Sequence, residues 1–140
     1  MMMCRRGVEY WFGAASWNDT VSYLLDNKTL YAIDSDDVLT GAAPPTKIAV
    51  PYDSSGVPAA RMAQNGARVE GVGICFYSAD PSSLVCYSPE HDKFGQFPCS
   101  VTHVAGAIAA VNRTVFVAGG ADVSGNATAV VEVFHWPEEL

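Results

Sequence analysis

The sequence has few charged residues, and most of those it has are acidic. Only 16% of its 140 residues are charged, and the formal net charge is −7 at pH 7. The eight lysines and arginines form no basic stripe of the kind that neutralises a phosphate backbone or an anionic membrane surface. We therefore expect no nucleic-acid partner.

Long apolar runs are also missing. Polar or turn residues interrupt every apolar stretch, whereas a membrane-spanning helix needs about 20 consecutive apolar residues. The N-terminal residues 1–6 are basic, but Glu9, Asn18 and Asp19 follow where a signal peptide has its apolar region. We expect no membrane insertion and no secretion signal. With 49% apolar residues, the chain can bury the core of one domain, residues 1–140.

Signatures of catalysis are absent from the sequence. There is no Gly-x-Ser-x-Gly elbow and no His-Glu-x-x-His, and the segment Gly41–Lys47 lacks the glycine that precedes the lysine of a phosphate loop. We therefore predict no enzymatic activity, no catalytic residue and no cofactor.

Two groups of residues resemble metal ligands without meeting the requirements of a site. The acidic run 34–37 lacks the glycine and final glutamate of a calcium loop, so an acidic turn after a strand is expected. Three histidines lie in different turns or strand ends, where exposed side chains are expected, and a copper site would need them to converge. They are His91, His103 and His135. We predict no metal site.

Four cysteines show neither CxxC spacing nor the density of a disulfide scaffold. They are Cys4, Cys75, Cys86 and Cys99. Buried thiols are one interpretation. A cross-strand disulfide between Cys75 and Cys86, which flank a turn at Asp80–Pro81, is the other.

Helical periodicity is nearly absent, and strand signals take its place. Short β-rich runs alternate with Gly, Pro, Asn, Asp and Ser, which is typical of a sandwich, a barrel or a propeller. The predicted strands are Val21–Leu25, Leu30–Ile33, Gly73–Tyr77, Leu84–Tyr87, Gly106–Val111, Thr114–Ala118 and Ala129–Phe134.

Internal repeats favour the propeller. The pattern Asn-x-Thr-Val at 18–21 recurs 94 positions later, at 112–115. The sequence Val-Cys-Tyr at 85–87 is similar to Glu-Val-Phe at 132–134, and these two segments are separated by half of 94 positions. A period of about 40 to 50 residues is that of a propeller blade. The sequence thus predicts an all-β chain of about three four-stranded blades, with the middle one degenerate. Their approximate bounds are 8–40, 57–98 and 99–140, with 41–56 as an inter-blade loop.

Residues 84–136 carry the strongest motif. The first half of the motif is a small-residue strand at 106–111, a tight turn, and an apolar strand that ends in Gly119-Gly120. The second half is best matched in the preceding unit, by the turn that runs from Tyr87 to Phe94. This segment resembles the kelch repeat family, with Phe94 where the family has tryptophan. The expected structural positions are Gly106, Gly119, Gly120, Tyr87, Pro89, Phe94, Phe134 and Trp136.

The resemblance implies a partial kelch-type β-propeller that binds a protein partner through exposed loops, such as 41–56 and 121–128, and has no catalytic activity. Two alternatives stay open: a propeller enzyme or sugar-binding domain similar to galactose oxidase, and a gene fragment with no independent function. Propellers have about four to eight blades, so three blades suggest self-association to complete the ring.

Four of the five asparagines begin an N-x-Thr glycosylation acceptor, and these are Asn18, Asn27, Asn112 and Asn126. Two of them share one place in the repeat, in hairpin turns where asparagine tolerates positive φ. An intracellular location is favoured, and these acceptors leave an extracellular one open.

Overall fold

The computed structural model describes residues 4–5, 8–9, 13–25, 29–41, 45–49, 63–79 and 81–140. Within these ranges the chain is all-β apart from one short helix, which confirms the predicted fold class at that level. A two-stranded pair, β1 (Cys4–Arg5) and β2 (Val8–Glu9), precedes three antiparallel sheets.

Each of the three sheets is a simple up-and-down meander. Sheet I contains β3 (Gly13–Ser16), β4 (Val21–Leu25), β5 (Thr29–Asp34) and β6 (Thr46–Ala49). Sheet II contains β7 (Ala63–Val69), β8 (Gly73–Ala79), β9 (Ser82–Ser88) and β10 (Lys93–Pro98). Sheet III contains β11 (Ala107–Val111), β12 (Thr114–Ala118) and β13 (Val131–His135).

The sheets meet through their first strands, since β3 lies against β7 and β7 lies against β11. Sheet II therefore stands between the other two, and all of β8 and nearly all of β9 are buried. Because strand side chains alternate between faces, such continuous burial requires cover on both sides of the sheet.

Two apolar cores fill the spaces on either side of sheet II. Ile74 and Phe76 of β8 point towards sheet I and pack with Tyr23, Leu25 and Leu30. The alternate residues of β8 point towards sheet III, where the second core is formed by Val69, Cys75, Tyr77, Ala79, Leu84, Cys86, Val115, Val117 and Trp136.

Sheet III turns a largely apolar face away from sheet II. Its strand register places three cross-strand rows on this side. We call them the outer face of sheet III: Ala107, Ala109, Val111, Thr114, Phe116, Ala118, Val131, Val133 and His135. Val111, Val131 and Val133 are more than half exposed.

The structure places the repeated motifs in equivalent positions. Both Asn-x-Thr-Val segments lead from the first strand of a sheet into the second, and both members of the second echo, 85–87 and 132–134, lie in third strands. The second strands begin at residues 21, 73 and 114, so the spacing is uneven although its average is the predicted period.

Two details of the predicted blades are wrong. The loop at 41–56 contains β6, which pairs with β5, because residues 46–49 complete the edge of sheet I. The middle unit, predicted to be degenerate, is a full four-stranded sheet. Its first strand, β7, begins at Ala63, in a segment for which no strand was predicted. Among the described residues, sheet III has three strands. The other parts of the 41–56 loop, residues 42–44 and 50–56, lie outside the described residues.

The predicted acidic turn is the start of helix α1 (Ser35–Thr40). Asp34 Oδ1 accepts hydrogen bonds from the backbone N–H of Asp36 at 3.0 Å and of Asp37 at 3.4 Å, which is how an N-cap residue satisfies free amides. Within the described ranges, no helix has the length and apolar character to cross a membrane.

Candidate functional site

Loop 119–130 joins β12 to β13 and contains the predicted binding segment 121–128. It leaves β12 through Gly119 and Gly120, whose φ angles of 68° and 78° lie in the left-handed region that favours glycine. Ala121 and Val104 then exchange two backbone hydrogen bonds, of 2.7 and 2.9 Å. The base of the loop is therefore tied to the segment that precedes β11.

Two of the predicted structural glycines allow close backbone contact there. A Cβ at Gly120 would lie 2.5 Å from Val104 O and 2.7 Å from Gly106 N, and one at Gly106 would lie 2.9 Å from Ala118 O. A Cβ at Gly119 would meet nothing within 4 Å. Gly119 supplies the positive φ of the turn, Gly106 supplies the space for close backbone contact, and Gly120 supplies both.

Substitution of the two adjacent glycines separates these roles. We expect Gly120→Ala to lower the free energy of unfolding by about 2 kcal/mol and Gly119→Ala by about 1 kcal/mol, because both pay for positive φ but only Gly120→Ala also displaces backbone. Urea denaturation of both variants measures the difference. Equal losses of stability in the two variants would show that the short distance between residue 120 and Val104 O does not contribute to the cost of Gly120→Ala.

Asp122 organises the tip of the loop. Its Oδ1 accepts hydrogen bonds from the backbone N–H groups of Ser124 and Asn126, both at 2.9 Å, and its Oδ2 accepts from Asn126 Nδ2 at 3.2 Å. The pKa of Asp122 lies below its ordinary value, chiefly because of the hydrogen bond from the Asn126 backbone amide. Desolvation raises this pKa, and hydrogen bonds from Asn126 Nδ2 and the Ser124 and Gly125 amides lower it further. The charged carboxylate thus holds the tip in one conformation.

Val123 lies at this tip and is 82% exposed. A large apolar side chain on a loop held by its neighbour's hydrogen bonds resembles the rigid anchors found at protein interfaces, because little conformational freedom remains to be lost on binding. Single exposed apolar residues are common on protein surfaces, so the fixed backbone is what distinguishes this one.

Beneath the loop lies a buried histidine. His103 has no exposed surface, and its Nδ1 lies 2.8 Å from Gly119 O while its Nε2 lies 2.5 Å from Glu132 Oε2. Both ring nitrogens therefore have a hydrogen-bond partner, a backbone carbonyl on one side and a carboxylate on the other. His103 therefore joins the first residue of the loop to β13.

Glu132 is held by further donors on its other side. The Ser100 backbone N–H donates to Glu132 Oε1 at 2.6 Å. Burial by itself raises the pKa of Glu132, but hydrogen bonds from Ser100, His103 and the Val101 amide outweigh it and lower the pKa below the ordinary value of 4.5. Glu132 is therefore a carboxylate near neutral pH and draws segment 100–103 onto sheet III.

A third chain of hydrogen bonds connects this cluster to sheet II. The His103 backbone N–H donates to Tyr77 Oη at 2.7 Å. Tyr77 Oη lies 2.8 Å from Ser82 Oγ, which donates to Val101 O at 2.7 Å, so Tyr77 is the donor to Ser82. The base of loop 119–130 is thus fixed from both sheets, and we call Tyr77, Ser82, His103 and Glu132 the interface cluster.

The interface cluster has the chemistry of an anchor. Both ring nitrogens of His103 are occupied by protein partners, and the imidazole is enclosed. A general base needs a free lone pair within reach of its substrate. The arrangement is suited to positioning the loop.

The predicted exposure of the histidines is correct for two of them. His91 and His135 are exposed, with Nδ1 atoms 2.9 Å from Leu140 O and 3.2 Å from Thr114 Oγ1 respectively. His103 is buried, contrary to prediction, because Glu132 and Gly119 satisfy both nitrogens. In the described part of the chain, no three acidic, histidine or cysteine residues converge as metal ligands do.

The aromatic motif residues lie in the cores. Tyr87 packs on Phe94 with ring centroids 4.7 Å apart and donates a hydrogen bond to Asp92 Oδ1 at 2.8 Å, which closes the turn that contains Pro89. Phe134 and Trp136 lie in the core between sheets II and III.

Three of the four acceptor asparagines are described, and all three are exposed. Asn18 Oδ1 accepts from the backbone N–H of Val21 at 2.7 Å, and Asn112 adopts a positive φ of 54°. Both residues lie in the predicted hairpin turns, but the positive φ expected there is found at Asn112, whereas Asn18 acts through its side chain. Asn126 lies in the tip of loop 119–130, and Asn27 lies outside the described residues.

Cys75 and Cys86 are directly opposite each other on β8 and β9, and both are free thiols. Burial raises the pKa of Cys75 to about 12 and also raises that of Cys86. The thiolate is the reactive form, so these thiols behave as core residues. Of the two interpretations, the structure has the buried thiols.

No protein-family model matches this sequence, and a search of curated proteins finds no relative.

Proposed function

We propose that the chain is a non-catalytic protein-interaction module built as part of a kelch-like β-propeller. Three successive meanders whose first strands lie side by side support this architecture, since blades of a propeller surround their channel in this way. The kelch-like positions Gly106 and Gly120 lie where the backbone must approach closely.

The observation that carries the interaction role is the pair formed by Asp122 and Val123. Asp122 fixes the loop tip through three hydrogen bonds, and Val123 is the most exposed large apolar side chain among the described residues. The interface cluster holds the base of the same loop. Loops that a rigid scaffold holds in position carry a disproportionate share of the binding residues of proteins.

Photo-crosslinking tests this role at the tip itself. With benzoylphenylalanine in place of Val123, we expect a covalent adduct with one partner protein in extracts. The same residue in place of Asp19, which is exposed in the turn between β3 and β4 of sheet I, is the matched control. Adducts that are absent at 123, or equal at both positions, would contradict the proposal.

Self-association is part of the proposed architecture. In a closed ring, the outer face of sheet III would pack on a further sheet, as both faces of sheet II do here. We expect size-exclusion chromatography with light scattering to give twice the mass of one chain at high concentration. A monomer at every concentration would contradict self-association.

A further inference from the structure

The third strand of sheet III has an open edge. In sheets I and II, the third strand pairs on its outer side with a fourth, β5 with β6 and β9 with β10. Among the described residues, β13 pairs only with β12.

Hydrogen-bond directions identify the groups on this open edge. The Trp136 N–H donates to Arg113 O at 2.8 Å, and Val130 O accepts from the Gly119 N–H at 3.2 Å, so residues 130 and 136 face β12. Directions alternate along an antiparallel strand. The N–H and C=O groups of Val131, Val133 and His135 therefore point to the outer edge.

This edge lacks most of the features that usually protect one, and the charged side chain within the strand, Glu132, points inward and is bonded to Ser100 and His103. The described strand β13 has no lysine, proline or bulge, and its side chains Val131 and Val133 are 59% and 52% exposed. Unpaired edges of this kind are templates for pairing with another strand. The edge is thus prepared for an added strand.

The molecule itself shows what such a strand looks like. β6 and β10 are four and six residues long, run antiparallel to their third strands, and each contains a lysine, Lys47 and Lys93. Each also packs an apolar side chain inward, as Ile48 and Phe94 do. The charge around β13 is complementary, because exposed Glu138 and Glu139 follow the strand and the chain carries a net charge of −7.

We propose that β13 binds an extended segment of a partner protein, which adds antiparallel as the fourth strand of sheet III. The segment has alternating apolar residues and at least one lysine or arginine. This binding mode, β-strand addition, takes its affinity from main-chain hydrogen bonds and its specificity from alternate side chains. The inference rests on the proposed role as an interaction module, but it uses a surface separate from loop 119–130.

Peptides from the chain's own fourth strands are the probes. Fluorescently labelled peptides with the sequences of residues 91–98 and 45–50 are titrated with the full chain, and binding is followed by anisotropy. We expect saturable binding that weakens when the lysine of either peptide is replaced by glutamate. If neither peptide binds, the proposal is overturned.

A proline at the edge provides the matched variant. Val133→Pro removes an N–H that faces away from β12, whereas Val133→Thr keeps it, so we expect at least a tenfold loss of affinity for V133P and little change for V133T. Equal binding by both variants would overturn the proposal.

N-methylated peptides give the same test without altering the protein. Methylation of either Gly95 or Gln96 in the 91–98 peptide removes one donor, and only one of the two faces β13, so we expect one modified peptide to lose affinity. Equal affinity of both modified peptides would count against strand addition.

Two outcomes separate this inference from its neighbours. A dimer that V133P dissociates, with no peptide binding, would replace the partner by a second copy and overturn the proposal. A partner still crosslinked at position 123, with peptides that fail to bind, would remove the β13 site and leave the proposed function in place.

Discussion

We expect Glu132→Ala to lower the free energy of unfolding by about 3 kcal/mol, because it leaves Nε2 of the fully buried His103 without its carboxylate partner and releases the amides of Ser100 and Val101. Leaving a buried hydrogen-bonding group without its partner typically costs about 1–3 kcal/mol. The substitution affects His103 and two backbone amides together, and Glu132 retains some exposed surface, so the expected loss lies near the upper end of that range.

Urea denaturation measures this loss, and Glu138→Ala is the matched control. Glu138 is exposed, and a surface substitution of this kind changes stability by less than about 0.5 kcal/mol. A loss below 1 kcal/mol for Glu132→Ala would mean that segment 100–103 is held without the carboxylate.

The lowered pKa of Glu132 also makes the stability of the protein depend on pH. The folded-state pKa of Glu132 is lowered, so the stability it contributes is complete above its ordinary value of 4.5 and is lost as the pH falls towards the folded-state value. We expect the difference between the wild type and Glu132→Gln to shrink as the pH falls below 4.5. A difference that grows on acidification would contradict this assignment.

The sequence predicts the central strands well because their side chains decide their structure. β4 and β12 have the predicted bounds, and both are rich in apolar and β-branched residues that a buried strand requires. The Asn-x-Thr-Val repeat also locates their turns, since Asn18 and Asn112 play local roles that depend only on neighbouring residues.

The edge strands could not be predicted in the same way. β7 has the composition Ala-Gln-Asn-Gly-Ala-Arg-Val, and β10 contains Gly95, Gln96 and Pro98. Neither segment favours a strand by itself, and each is extended because β8 or β9 offers it a ladder of hydrogen bonds. Strand propensity depends on such neighbours, so an isolated sequence underestimates it at the edges.

The interface cluster was missed because its members are far apart in the sequence. His103 and Glu132 are 29 positions apart, and Tyr77 is 26 positions before His103. The sequence contains one signal of this cluster. In β13, Val131 and Val133 point outward, so Glu132 between them points inward. A buried carboxylate needs a hydrogen-bond or ion-pair partner. Asp122 likewise stands two residues before Ser124, a spacing that favours an Asx turn.

Phe76→Ala is expected to have the largest effect of the substitutions considered, a loss of about 4 kcal/mol. The Phe76 ring is 1% exposed and fills the space between sheets I and II, close enough to Gly66 that a Cβ there would lie 2.7 Å from the ring. Phenylalanine-to-alanine substitutions in a core cost about 3–5 kcal/mol through lost burial and the cavity left behind. Thermal and urea denaturation both measure this loss.

Phe116→Ala is the matched control, because Phe116 lies on the outer face of sheet III and is only partly buried. In the monomer we expect a loss of about 1 kcal/mol, in proportion to the smaller area removed from water. A loss at Phe116 as large as that at Phe76 in the monomer would mean that the outer face is already covered within one chain.

The dependence of these two stability losses on protein concentration distinguishes a residue of the internal core from a residue of a self-association surface. Stability gained from self-association depends on concentration by mass action, whereas stability from an internal core does not. If a second copy covers the outer face of sheet III, the cost of Phe116→Ala rises with concentration while the cost of Phe76→Ala stays constant. If both costs are independent of concentration, no second copy covers the outer face of sheet III, and self-association through this face is excluded.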